Sequence, residues 1–549
     1  MHIELELIYP RVGGYNARPC SVRLRMYEPP RATEVKALWR WWMRVVLAGA
    51  YGGQVSYSKV DEKVSEVLGS TKSSSLLSMA VEADKGQLEE AIKRAEKIRK
   101  LFDDSLSALN GFREDWRRNH GRVATIKYIE LQPPFRIRYF QPRQKDEFQR
   151  KLGEYFGDVK VRVIKRKKEV EVELSKSNVR KLLERYLRRN SKAYEDLYEF
   201  LRSVSDVPRV RLALFKRDEE GEVDKVERYP REEIHRVKKY LERISEELAL
   251  REGLNVTIRV YLSKPLNTLS KQEQEKLKAA IAVLLLALAL GGLGSMTRRG
   301  FGSVNLKNVK VKLCDKRLDE ILRKFDDVLN AASKDDLKSR LWDLMRATSD
   351  LVRDAYGIEK REAKSIPKVP SLLPDSDSEF FRLEVCEVEH VTDDLKLLLH
   401  IGNACLKSSW KKKSYRGEGG YIKKPGSRLH TWILGLPRSV KGKRDISGYI
   451  IAGKEEVRRP SSIHLKIFKN RQGKRFVIIY GFLSEDWPLN KLLHKSKGER
   501  KGRERNVIDT EIRDRYGNEY EIKIREDFLK KVFNVAFDFV CSIVREPNG

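Results

Sequence analysis

No apolar run in this 549-residue chain is long enough to cross a bilayer. The most hydrophobic stretch, AAIAVLLLALAL, covers only 279–290 and reads as a buried helix. Cysteine is scarce and scattered. The five residues (Cys20, Cys314, Cys386, Cys405, Cys541) are odd in number and never form a C-x-x-C pair. That argues against a disulfide framework and fits a reducing compartment. The opening MHIELELIYP alternates like a strand and has no basic n-region or cleavage site. No signal peptide is therefore expected, and the chain reads as cytoplasmic without a membrane partner. No repeat with a period of roughly 20–50 residues recurs, which excludes a solenoid.

Acidic residues are in deficit: 80 Asp and Glu face 113 Lys and Arg, a formal charge of +33. Such an excess repels itself in the compact state unless a polyanion shares the surface, and nucleic acid is the first candidate. Hydrophobic residues at 40% and aromatics at 9% supply enough apolar side chain for several cores, which excludes general disorder. The 35% charged fraction agrees with a thermophilic source.

Alternating apolar residues predict strands at 2–9, 21–28, 256–263 and 303–313, and a basic hairpin over 160–174. Helices are expected at 29–49 (Thr33 as N-cap, Gly49 past the end), 84–118, 178–204 and 270–292. The first 315 residues thus read β–α–β…β–α–β, the ferredoxin-like order, with a large, mainly helical insertion at about 50–250. A charged helical segment follows at 316–360. The proline-bearing SIPKVPSLLPDSD (365–377) reads as a linker, so 316–377 separates the two modules. Strands at 379–391, 429–435, 461–469 and 474–483, with a last helix at 525–544, make 378–549 a second ferredoxin-like module. The expected fold class is α+β.

On the helix at 29–49, Val35, Leu38, Trp42, Val45, Val46 and Gly49 share one face, and Lys36, Arg40 and Arg44 step along another. An ordinary amphipathic helix would leave those three cations in solvent. Here only Glu34 lies near them in sequence, so they lack the usual surface partners. Unpaired cations flanked by indoles, Trp41 among them, suit a phosphate backbone with bases stacked alongside. Trp42 belongs to the core.

The long apolar helix ends in LGGLGSMTRRGFGSV (290–304). No GK[ST] follows at P-loop spacing, and the segment follows a helix where a dinucleotide fingerprint needs a strand. A helix C-cap accounts for Gly291 or Gly292 only. The remaining reading is a loop whose amides meet phosphates, with Arg298 and Arg299 adding charge.

A helix running into G-x-G-x5-G-x-G, here Gly292, Gly294, Gly300 and Gly302, resembles the signature loop of the RAMP superfamily of CRISPR proteins. Within it, PRVGG (10–14) followed by RATEVKALWRWWMRVVLAG (31–49) is similar to the family of the first-named RAMP subunit of Cmr (type III-B) effector complexes. LGLPR (434–438) and RRPSSIHLKI (458–467) resemble that family's later signatures. The resemblance implies two ferredoxin-like modules and a non-catalytic subunit at the end of the complex distal to the crRNA 5′ tag. There it would contact the 3′ region of the crRNA and help capture target RNA, beside other Cmr subunits. By the residues and the resemblance together, the RNA-binding candidates are Lys36, Arg40, Trp41, Arg44, Gly292, Gly294, Arg298, Arg299, Gly300, Gly302, Arg458 and Arg459. No cofactor is implied.

Other RAMP proteins are metal-independent endoribonucleases that use a histidine, and His120 or His430 would serve that alternative. Cys386 with His390, and His400 with Cys405, have zinc-binding residue types. However, i and i+4 on a strand stand about 13 Å apart at ~3.3 Å per residue, so no metal is expected. The loop at 409–430 mixes lysines and arginines with Trp410, Tyr415 and Tyr421, and reads either as an RNA-contacting loop or as a solvated one. The basic stretch 495–505 reads as a disordered arm.

Overall fold

The computed structural model describes residues 1–10, 30–90, 93, 127–128, 135–139, 150, 160–164, 169–174, 253–294, 296–313, 315–374, 378–388, 391, 394–405, 410, 431–435, 438–441, 446–451, 459–486, 492–495, 505–506 and 526–546. The chain divides into two compact units, Met1–Gln87 with Glu252–Gly549, and Leu88–Arg251. The break after Gln87 leaves 50–87 with the first unit, where it forms a helix and a strand, rather than with the insertion.

The first unit opens on β1 (His2–Ile8), whose Ile3, Leu5 and Leu7 are buried, as the alternation predicts. Then come α1 (Ala32–Ala50), α2 (Tyr57–Leu68) and β2 (Leu77–Ala83). In the second unit β3 (Lys127–Tyr128), β4 (Phe135–Tyr139), β5 (Lys160–Ile164) and β6 (Glu169–Leu174) form an antiparallel sheet ordered β3-β4-β6-β5. The predicted hairpin over 160–174 is the β5–β6 pair. The predicted strand at 21–28 and most of the predicted helices at 84–118 and 178–204 lie outside the described residues.

Back in the first unit, β7 (Leu254–Leu262), α3 (Lys271–Leu290) and β8 (Ser303–Lys310) complete a four-stranded antiparallel sheet ordered β2-β7-β1-β8. Helix α3 begins on a capping box, with Ser270 and Glu273 satisfying each other's backbone N–H groups. Its second half is buried on every side, because α1, α2, β8 and the next two helices all pack on it. Those two are α4 (Lys316–Leu329) and α5 (Lys334–Tyr356). Trp39 of α1 is fully buried and donates Nε1–H to Ala280 O at 2.7 Å.

Helix α1 is capped two residues before the expected Thr33: Arg31 holds the cap position without a side-chain cap, and Thr33 lies inside. Gly49 is also inside, because the segment after α5 crosses there. A Cβ on Gly49 would stand 1.8 Å from Leu372 O. The described part of the expected 365–377 linker, residues 365–374, is a strap packed on α1. Ile366, Val369, Leu372 and Leu373 are buried, and Leu372 N donates to Val45 O at 2.9 Å. The prolines hold it extended without making it a spacer.

The last part contains β9 (Phe381–Cys386), α6 (Asp394–Ala404), β10 (Arg438–Lys441), β11 (Ile446–Ile451), β12 (Ile463–Lys469), β13 (Arg475–Phe482), β14 (Leu492–Lys495), β15 (Arg505–Asn506) and α7 (Glu526–Arg545). Its sheets are antiparallel, ordered β12-β13-β9 and β10-β11-β14-β15. The predicted strand at 429–435 is instead a single tight helical turn at Thr431–Leu434, wholly buried. Its apolar run reflects burial, not strand pairing.

Candidate nucleic-acid interface

The cationic stripe of α1 faces α2, which its own pattern would have revealed: Ser56 caps it, and Val60, Val64 and Val67 are buried at helical spacing. Arg40 Nη1 donates to Leu68 O (3.4 Å) and Gly69 O at the C-terminus of α2, where the helix dipole favours a cation. Its Nη2 reaches Ser65 Oγ at 3.3 Å and lies 3.6 Å from Asp61. Arg44 grips the same carboxylate with Nε at 2.8 Å and Nη2 at 2.7 Å. The stripe therefore does have a carboxylate, delivered by the next helix, and the expectation of unpaired arginines at 40 and 44 is corrected. Lys36 makes no hydrogen bond or ion pair among the described residues. Partial burial, then Arg40, lowers its pKa.

Trp41 is not a bare platform for a base. His464 stacks on it at 5.4 Å, Phe482 and Trp42 meet it edge-on, and the Arg298 guanidinium lies 5.5 Å from its ring centre.

The glycine-rich loop folds onto itself. Leu293 N donates to Gly302 O at 2.9 Å, Gly302 N to Ile8 O at 2.8 Å, Arg299 N to Met296 O at 2.9 Å and Gly300 N to Thr297 O at 3.4 Å. A Cβ on Gly302 (φ +62°) would stand 2.0 Å from Leu293 O. One on Gly292 would stand 2.8 Å from Gly302 O, and one on Gly300 (φ +83°) 2.8 Å from Ile401 Cδ1 of α6. Gly294 has φ +94°. The close approach that the glycines permit is thus to the chain itself, and these four amides are not open to phosphate.

The two loop arginines differ. Arg298 is half-buried, donates Nη1–H to Ser461 O at 2.8 Å, and has its pKa lowered to about 10 chiefly by desolvation. Arg299 pairs its backbone with Leu465 of β12, while its side chain has no hydrogen bond or ion pair among the described residues. Arg459 meets Asp486 at 2.7 Å. Arg458 lies outside the described residues.

The nuclease alternative rests on His120 and His430, which lie outside the described residues, as does His390. His464 is wholly buried. Desolvation, then Arg298 and Arg459, drives its pKa well below the ordinary value, so the ring is neutral. His400 accepts a role at the end of α7, its Nδ1 3.0 Å from Val544 O. Cys386, Cys405 and Cys541 are buried and form no disulfide. Among the described residues no three His, Cys, Asp or Glu side chains are placed to hold a metal ion. Trp410, expected in a mobile basic loop, is fully buried and donates to Ala404 O at 2.7 Å. The rest of that loop and most of the 495–505 arm are outside the described residues.

The open face of the first sheet offers phosphate little. Glu4, Glu6 and Glu82 lie on it, with Arg259 held by Glu82 at 2.6 Å and Asn305 by Glu6 at 3.1 Å. No described helix of the chain is long and apolar enough to cross a membrane.

Residues 31–305, from the start of α1 through the glycine loop into β8, match the family model of the RAMP superfamily. The chain belongs to the RAMP superfamily. It is 26% identical over 320 residues to the CRISPR system CMR subunit Cmr1 of Saccharolobus solfataricus, covering 56% of this chain. The match spans only 55% of that relative's length. Among solved structures, the chain resembles one in a cryo-EM structure of the type III-B Cmr-beta bound to cognate target RNA and AMPPnP (TM-score 0.42, 19% identity, 98% of this chain and 99% of that chain). It also resembles Cmr1 from Pyrococcus furiosus in its apo form (TM-score 0.36, 13% identity, 88% of each chain). In this RAMP superfamily member the glycine-rich loop is a packed junction of the chain with itself.

Proposed function

We propose that the chain is a non-catalytic RNA-binding subunit of a type III-B CRISPR (Cmr) ribonucleoprotein, contacting the crRNA 3′ region and target RNA beside other Cmr subunits in the cytoplasm. The observation that carries this is a formal charge of +33 on a RAMP superfamily chain that aligns with Cmr1. In this reading the fold is two ferredoxin-like modules. The order β2-β7-β1-β8 is that of β-α-β-β-α-β, and β12-β13-β9 repeats it with one edge strand fewer. Lys36, Arg298 and Arg299 supply the phosphate contacts, while Arg40, Arg44, Trp41 and the glycines shape the surface that presents them.

The test is the salt dependence of RNA binding by the full chain. Lys36→Glu and Arg299→Glu should each lower the slope of log K against log salt by about one, across sequences, whereas Arg44→Gln should leave it unchanged. An unaltered slope in both charge reversals sinks the assignment. Incubation with labelled CRISPR-repeat RNA in EDTA separates the nuclease alternative: intact RNA supports a binding subunit, and cleavage lost on substituting His120 or His430 overturns it.

A further inference from the structure

A cavity of about 110 Å³ opens where α1, α2, the glycine loop and the β12–β13 pair converge, lined among others by Trp41, Tyr57, Arg298, Arg459, Ser462 and Asp486. Its charges do not balance. Asp486 is already satisfied: Arg459 reaches it at 2.7 Å, Ser484 Oγ at 2.5 Å, and Tyr57 OH donates to it at 2.9 Å. Arg298 has no carboxylate within ion-pair distance among the described residues. Among the described residues its one hydrogen-bond partner is a neutral carbonyl, Ser461 O, so most of its donor fork is unused there. His464, the remaining titratable group lining the cavity, is neutral. Among the described residues, two guanidinium groups thus face one carboxylate across this cavity. Ser462 adds a second unmet group. It is 3% exposed, and its Oγ has no hydrogen-bond partner among the described residues.

A cation taken partly out of water without a counter-charge is costly, and an anion that fills the space removes that cost. The cavity is well below the ~300 Å³ at which pockets take whole organic ligands, yet several times the ~10–15 Å³ that one water needs. A tetrahedral oxyanion fits both limits, and a guanidinium fork with a nearby hydroxyl is the donor set such a group takes.

We propose that this cavity receives a single phosphate group of an RNA strand, held by Arg298 with Ser462, with half-exposed Tyr57 at its mouth. The identity of the ligand as RNA rests on the function proposed above; the anion site itself does not. The site takes one phosphate and reads no base, so it would fix the position of a strand rather than its sequence.

Calorimetric titration of the full chain with inorganic phosphate at constant ionic strength tests it. One saturable site is expected, weakened at least tenfold by Arg298→Gln and by Tyr57→Glu, which sets a competing carboxylate at an exposed position that folding tolerates. Absence of a saturable site, or undiminished uptake in Tyr57→Glu, overturns the proposal even where Arg298→Gln misfolds. Displacement of phosphate by an oligoribonucleotide with a 3′-phosphate, but not by its 3′-hydroxyl twin, assigns a terminal monoester. Equal displacement assigns a backbone diester, and displacement by neither removes RNA as the source. Phosphate uptake by a chain that binds no RNA would sink the proposed function and spare the anion site. RNA binding at full strength in both variants would overturn RNA as the ligand of this cavity while sparing the proposed function.

Discussion

Arg44 and Arg298 are both arginines that the sequence offers to an anion, and they end in opposite surroundings. Arg44 stays partly in water and holds Asp61 from a neighbouring helix. Arg298, half-buried, lies over the ring of Trp41 and among the described residues finds only a carbonyl as hydrogen-bond partner. The contrast teaches that a surplus of cations in a sequence says little about any one of them. What matters is whether folding delivers a carboxylate, and here it delivers one to Arg44 and, among the described residues, none to Arg298. Lys466 extends the comparison. It is wholly buried and, among the described residues, without a carboxylate, but its Nζ donates to Leu288 O and Ala289 O at the C-terminal, negative end of α3.

Breaking that third arrangement should have the largest effect. Lys466→Ala leaves two helix carbonyls and a cavity behind, and should destabilise the chain by ~3–5 kcal/mol in a denaturant melt. Next, Gly302→Ala forces a left-handed residue against Leu293 O and should cost at least ~2 kcal/mol, disordering the loop that places Arg298. The pH response should be smaller. Buried His464 has a folded pKa below its unfolded value of ~6.5, so below that pH the unfolded chain takes up a proton that the folded one refuses. Stability should therefore fall as pH drops from ~6.5 through the folded pKa, by at most ~1.4 kcal/mol per pH unit. His464→Phe should remove that part of the slope. The exposed pair should matter least: a double-mutant cycle of Arg44→Ala and Asp61→Ala should give a coupling of ~0.5–1 kcal/mol, shrinking with added salt.

The periodic elements were legible because their pattern matches their burial. Ile3, Leu5 and Leu7 alternate, and so do Leu254, Val256, Ile258 and Val260. The apolar half of α3 announces a helix covered on all sides. Trp42 in the core followed from its position on the wheel. What could not be read locally was pairing across the chain. Asp61 serves Arg44 only once α2 folds back, and no motif marks Tyr57 or Asp486 as neighbours of Arg298. The strap at 365–373 looked like a spacer because prolines and polar residues outnumber its few apolar side chains, yet those few are the buried ones. At the glycine loop, composition showed that something comes close without showing that it is the loop's own backbone.

The end of α3 has a consequence for how the molecule comes apart. Among the described residues, the carbonyls of Leu288, Ala289 and Leu290 find their side-chain donors in Lys466 and Tyr480, which belong to the β12–β13 hairpin. Neither half can melt without stranding polar groups of the other in an apolar interior. The halves should therefore lose structure in one cooperative step, and severing the chain between them should yield two insoluble pieces rather than two domains.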